Sequence, residues 1–460
     1  MSAKKSEKKM ETPIENTAPQ LDRESQSEAI VLAEDLLTFI DESPCAFHAV
    51  VGLADRLKSA DFTEVDEQAS FELLPDGRYF IRRHDSALIA FIAGSKAPSA
   101  TGFRMVGAHT DSPGLKLKPK PEVVVDGMIR LGVEVYGGPI LATWLDRDFG
   151  LAGRAILKNA NGSLEKRLIL IDQPIVSIPN IAIHMNRTVN SDGLKVNAQT
   201  ELAPLLGQIS EDLPAKDAIR KLIAAEMGLE PAAIIDFDLF LYDTQKSSLS
   251  GVADEFIRAG RLDDLAMCHA AVDALIAGAE KPTAATRMAI CYDSEEVGSQ
   301  TSGGAGSNLL PNTLERIALA LGDEREGYLR ALAKSILASA DNAHARHPGY
   351  PNQSEPQHAP LLNHGPVIKV HASRAYATDA YSAAVFELAC QEAAIPCQRF
   401  VNRSDMKSGG TIGSMTSTQL GVPTVDVGNA QYAMHSVREM SGTFDHYYMS
   451  KALAAFYLGQ

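Results

Sequence analysis

Two adjacent carboxylates, Glu295 and Glu296, follow the apolar run RMAICYD in the stretch YDSEEVGSQ, residues 292–300. Neighbouring side chains at a strand end point in different directions. One carboxylate can therefore bind a metal while the other faces a water on that metal, the division of labour of a metal-activated hydrolase. Read locally, a Glu-Glu pair is a solvated surface pair. It gains weight from other acidic and histidine positions that look like the missing ligands.

In GAHTDSPG, His109 and Asp111 follow another apolar strand. The histidine is either a structural hydrogen-bonder or a ligand. Asp111 can accept its second N–H or support another ligand. GRLDDLAMCHAAVDALI sets Asp263 and Asp264 at a helix start. They read as an N-cap with its dipole partner, or one of them bridges two cations roughly 3.5–4 Å apart. Asp341 in ILASADNAHARHP, expected after a helix, is a ligand or a turn-maker. Nearby His344 and His347 fit no strict zinc spacing and are background. PTVDVGNAQYAMHSVRE repeats the strand-then-histidine pattern with His435.

Four of these five positions lie just after a strand or at a helix start, and in open α/β sheets the carboxyl ends of the strands form the binding crevice. Histidine and carboxylate ligands without cysteine suit zinc, cobalt or manganese rather than a structural cysteine site. No Walker loop or G-x-G-x-x-G fingerprint occurs, which speaks against a nucleotide cofactor.

The elements that must hold these residues alternate. Helices are expected over 28–42, 46–59, 262–278, 312–321, 326–339 and 378–393. Strands are expected in RYFIRRHDSALIAFIAG, at TGFRMVGAHTD, and at 286–292, 366–371 and 422–427. That pattern predicts an α/β sheet covered by helices. Between 112 and 250 short strand-like runs alternate with Gly, Pro and Asn turns, with one helix near 216–227. This is read as a β-rich domain inserted between a first part, 26–111, and a second part, 251–460. With 460 residues the chain exceeds one ordinary core.

A formal charge of -15 argues against nucleic acid and against an anionic membrane surface. The start, MSAKKSEKKMETPIENTAPQ, is basic but has no apolar core of a signal peptide, so residues 1–25 are expected to be a disordered tail. The five cysteines are odd in number and form no CxxC pair, as expected of buried thiols in a reducing cytoplasm.

The stretches GAHTDSPGLKLKP, GVEVYGG, NIAIHMNR, DEFIRAGRLDDL, YDSEEVGS, SADNAHARHP, GPVIKV, RAYATD, TIGS and AMHSVRE run in one order from about residue 45 to the C-terminus. Through them the chain resembles the aspartyl aminopeptidases, di-metal exopeptidases that share a family with the yeast vacuolar aminopeptidase. The resemblance implies a catalytic α/β/α domain with a mixed central sheet, an inserted β-rich dimerisation domain, and a homo-oligomer, a tetrahedral dodecamer. It implies two divalent cations, zinc with cobalt or manganese as alternatives. His109 and Asp341 would bind one, Glu296 and His435 the other, and Asp263 both, leaving Asp264 as its neighbour. Glu295 would be the general base and Asp111 would orient His109. His184 would reach a neighbouring subunit's site, and Lys369 would recognise an acidic side chain.

The expected activity is removal of N-terminal Asp or Glu from peptides with a free N-terminus. One loop departs from the family: Ser404 to Gly413 reads SDMKSGGTIG, where relatives carry a cysteine or proline-cysteine stretch before Gly-Ser/Thr-Thr-Ile-Gly. The alternatives are a preference for neutral residues such as Leu, a deacylase or carboxypeptidase on the same machinery, or a non-catalytic self-assembling member.

Overall fold

The structure, a computed structural model, describes residues 21–459. Most of the expected tail lies outside that range, but its last residues do not behave as a tail. The first helix starts at Arg23 and runs to Glu42, because Asp22 caps it by accepting the Ser25 N–H at 2.8 Å.

Among the described residues, nine strands form a mixed sheet. Its centre is four adjacent parallel strands: Thr286–Tyr292, Phe103–His109, Ile336–Ala340 and Thr424–Gly428. Apolar runs such as RMAICY and VGA are buried on both faces, as parallel strands under two helical layers must be. On one flank Ala87–Ile92 and Arg78–Arg83 add antiparallel. On the other, Val367–Val370 adds antiparallel, followed by Gln398–Val401.

Helices Arg23–Glu42, Ala46–Ser59, Leu262–Ala277, Ala380–Glu392 and Thr443–Leu458 share a core with one face. Helices Leu309–Ala320, Arg325–Lys334 and Ile412–Leu420 cover the other. Leu262–Ala277 is apolar nearly all round because it is buried nearly all round.

One expected helix needs correction. The span 326–339 splits at Ser335, and Ile336–Ala340 is a central strand between Phe103–His109 and Thr424–Gly428. Sheet pairing on both edges overrides the helical spacing of SILASA, so Asp341 follows a strand rather than a helix.

Between Gly114 and Asp243, six strands close into a barrel: Gly114–Val125, Met128–Tyr136, Asp148–Lys158, Leu164–Ser177, Leu205–Gln208 and Ile234–Asp243. Ile234–Asp243 pairs with both the first and the third of these, which closes the ring. Leu115, Leu131, Phe149, Leu151, Ile169 and Leu239 fill it, and helix Ala218–Met227 buries Ile219, Ile223 and Ala224 against them.

A smaller five-stranded sheet, unexpected from the sequence, joins Ser248–Ser250, Phe256–Ala259, Glu439–Gly442, Ala430–Tyr432 and Ala343–His344. It ties the segment after Asp341 to the segment around His435.

Candidate metal centre

The four parallel strands end at one edge, and the chemistry collects there. His109 is the last residue of its strand, Asp341 follows another, and Glu295 and Glu296 lie three and four residues past Tyr292 in a single 3-10 turn. Gly428 allows the strand before His435 to pass close to this edge: a Cβ there would stand 1.9 Å from the Asp341 carbonyl oxygen.

Two of the expected ligands come from irregular backbone. Asp263 sits at the entry to Leu262–Ala277 with non-helical dihedrals, joined to Asp264 by a cis peptide bond. His435 adopts φ 68°, in the left-handed region uncommon for residues other than glycine.

These residues converge. His109 Nε2 lies 3.6 Å from Asp263 Oδ1, and His435 Nε2 lies 3.3 Å from Asp263 Oδ2. One carboxylate therefore presents one oxygen to each histidine. Glu296 Oε1 is 3.6 Å from His435 Nε2. Three sets of donor atoms approach within 4.8 Å of one another: His109 with Asp263, Asp264 and Asp341; His109 with Glu295 and Glu296; and Asp263 with Glu296 and His435.

Backbone hydrogen bonds lock the arrangement. Asp111 accepts the Glu295 N–H on Oδ1 at 3.0 Å, and the Glu296 N–H and Tyr136 O–H on Oδ2 at 3.1 and 2.8 Å. The Asp111 carbonyl lies 3.0 Å from His109 Nδ1, which leaves Nε2 facing the cluster. The Gly138 carbonyl lies 3.0 Å from His435 Nδ1 in the same way. Tyr136 ends the barrel strand Met128–Tyr136 and Gly138 follows it by two residues, so this end of the barrel contacts both Asp111, which holds the carboxylate pair, and His435.

The electrostatics are those of crowded carboxylates. Burial pushes Glu295 up to about 7, with Asp341, Asp111 and Asp263 adding to the rise and His109 opposing it. Glu296, Asp341 and Asp264 are raised too, chiefly by burial. Asp263 moves down despite its burial, because the His109 and His435 imidazoles, 3.6 and 3.3 Å from its two oxygens, favour its charged form. His435 is held up at about 10, burial being outweighed by Asp263 and Glu296.

The residues fit divalent cations. Oδ1 of Asp263 and of Asp264 are buried acceptors without a hydrogen-bond donor. Such acceptors are costly unless something else satisfies them. Oxygen and imidazole donors without sulfur suit zinc, manganese or cobalt.

A family profile described as "Aminopeptidase I zinc metalloprotease (M18)" matches residues 39–457. The chain belongs to the M18 family. A "Probable M18 family aminopeptidase 2" from Clostridium novyi is 45% identical over 430 residues, covering 93% of this chain and 99% of the relative. Among solved structures, the "Ape4 and Nbr1 complex" superposes with a TM-score of 0.91 at 35% identity, covering 96% of this chain and 88% of that one. The S. cerevisiae mApe1 dodecamer superposes at 0.82 with 28% identity, covering 93% and 97%. The protein is thus an M18 metallo-aminopeptidase, a zinc metalloprotease by family.

In this M18 aminopeptidase the structure brings together His109, Asp111, Asp263, Glu295, Glu296, Asp341 and His435, with Asp264 beside them. Lys369 is adjacent but buried at 2% exposure, with Nζ 3.3 Å from Asp341 Oδ2 and donating to the Asn342 carbonyl at 3.2 Å. His184 is apart: it is exposed on the loop after Leu164–Ser177. His344 and His347 are exposed, and the His347 ring packs on Tyr350 and Tyr432.

Sequence reasoning misses Glu439 and Tyr136: Glu439 accepts the Asp263 and His435 N–H groups, and Tyr136 donates to Asp111. Each lies inside a stretch that carries the family resemblance, AMHSVRE and GVEVYGG, and neither was given a role.

Proposed function

We propose that this M18 aminopeptidase removes the N-terminal residue, Asp or Glu by preference, from unblocked peptides, using two divalent cations. His109 and Asp341 hold one, Glu296 and His435 the other, and Asp263 both. The observation that carries this reading is the Asp263 carboxylate, with one oxygen toward each histidine. When bound, the cations supply a water of lowered pKa and polarise the first peptide carbonyl.

The chain's own residues do the rest. Glu295 takes the proton from the attacking water and returns it to the leaving amine. Asp111 fixes the Glu295–Glu296 backbone and leaves His109 Nε2 facing inward. The crowded carboxylates attract the free α-amine of the substrate, which limits cleavage to the first residue.

Assembly into a homo-oligomer through the barrel is part of the proposal. Ile181, Ile183 and Met185, 51%, 48% and 76% exposed, flank His184 on the outer barrel loop. Such apolar exposure favours a partner surface and supports His184 reaching a neighbouring subunit's site. The S. cerevisiae relative is a dodecamer. A cytoplasmic location is supported by five free cysteines. Among the described residues, no helix is long and apolar enough to cross a membrane.

The acidic preference rests on Lys369 and on the resemblance to the aspartyl aminopeptidases. A second reading, preference for neutral residues, is favoured by one observation: the Lys369 ammonium already pairs with Asp341. Hydrolysis of unblocked Asp, Glu, Leu, Lys and Ala substrates, with and without chelator, separates the two. Chelator-sensitive turnover led by Asp and Glu supports the first, and turnover led by Leu supports the second. Rejection of N-blocked peptides is expected in both cases.

A further inference from the structure

Glu439 is the first residue of the strand Glu439–Gly442 and is 1% exposed. Its two oxygens serve two different segments. Oε2 accepts the Asp263 N–H at 3.0 Å and Oε1 accepts the His435 N–H at 2.7 Å. Gln431 Nε2 also donates to Oε1, at 3.4 Å. No lysine, arginine or histidine side chain pairs with Glu439 among the described residues. A buried carboxylate with only neutral donors is costly where a glutamine could accept one of the bonds. What distinguishes it is that both of its short bonds go to the two cation-facing residues that regular structure does not hold. Asp263 lies on non-helical backbone beside a cis peptide and His435 has a positive φ.

We infer that Glu439 is a positioning residue: one carboxyl group, accepting both backbone N–H groups, holds Asp263 and His435 at the spacing the second cation requires. It is the counterpart of Asp111, which clamps Glu295 and Glu296 by their amides. An amide at 439 accepts only one of the two N–H groups and turns its own NH2 against the other. An aspartate, one methylene shorter, reaches only one of them. Both lesions fall most heavily on the cation that uses both held residues, Asp263 and His435, while the cation at His109 and Asp341 loses only part of its support from Asp263. The inference rests on the two-cation reading proposed above.

The test is zinc titration, by calorimetry, of chelator-stripped full-length protein as wild type, Glu439→Gln and Glu439→Asp. Wild type should bind two zinc ions per chain. Glu439→Gln should keep one near wild-type affinity and bind the other about 10–100-fold more weakly, the usual effect of losing a partner of a metal ligand. Its kcat should fall at micromolar zinc and recover partly at millimolar zinc, with KM changed little. Glu439→Asp should fall between the two. Two zinc ions with both affinities within twofold of wild type in either folded variant would overturn the inference. So would loss of fold and of assembly in both variants, which would make Glu439 a structural residue only. A wild type that binds fewer than two zinc ions would instead refute the underlying two-cation reading.

Discussion

The site has two halves that are built differently. His109 and Asp341 stand at the ends of parallel strands, where ladders on both sides fix the backbone before any side chain acts, and Glu295 and Glu296 follow a third such strand in a short turn clamped by Asp111. Asp263 and His435 stand on turns with unusual dihedrals and depend on side-chain acceptors to hold them. A strand end is set by many shared hydrogen bonds, so no single partner is decisive. A turn is set by a few, so its partners become part of the machinery.

The difference predicts a ranking. Asp263→Ala removes the one carboxylate that faces both histidines. It should cost more than the about 10²–10⁴-fold that a general base contributes, and elemental analysis should find fewer than two metal ions per chain. Glu295→Gln should lower kcat by about 10²–10⁴-fold while both metal ions and KM stay near wild type. A kcat within a few-fold of wild type would remove Glu295 as the base. Asp111→Asn should cost about 10–100-fold in activity, because an amide cannot accept on both sides. Ser112→Ala is the smallest. It deletes one bond, Ser112 Oγ to the Asp263 carbonyl at 2.9 Å, and should lower metal affinity a few-fold, in line with about 1 kcal/mol for one hydrogen bond. An equal loss on mutating a strand-side partner of Asp341 would erase the contrast between the halves.

The same contrast decided what could be read from the sequence. The strand half announces itself: an apolar run that stops at His109 or at Tyr292 is visible in the letters, and so is the carboxylate pair after it. Helices 46–59 and 262–278 were expected from spacing and lie at Ala46–Ser59 and Leu262–Ala277. The run SILASA was misread as helix because alanine and serine carry no strand signal; only its two parallel neighbours make it a strand. The C-terminal helix Thr443–Leu458 and the five-stranded sheet are not foreseen from the sequence, the latter because its two short hairpins are joined only by pairings between distant segments, Ala343 with Ala430 and Phe256 with Gly442.

Glu439 was illegible for a related reason. Its role lies in two amides, one four residues away and the other 176, and no local pattern encodes the second. Lys369 was legible as a lysine in a strand, but its pairing with Asp341 was not. That pairing turns the question of substrate preference from a matter of sequence into one of measurement.

The most direct test of the account is to strip the full-length protein of metal and add zinc stepwise, following aminopeptidase turnover and bound metal in parallel. Two zinc ions per chain are expected, with turnover rising fully only as the second is bound and neither effect surviving in Asp263→Ala. Full turnover after a single equivalent, or unchanged loading in Asp263→Ala, would contradict a site in which one carboxylate serves two cations.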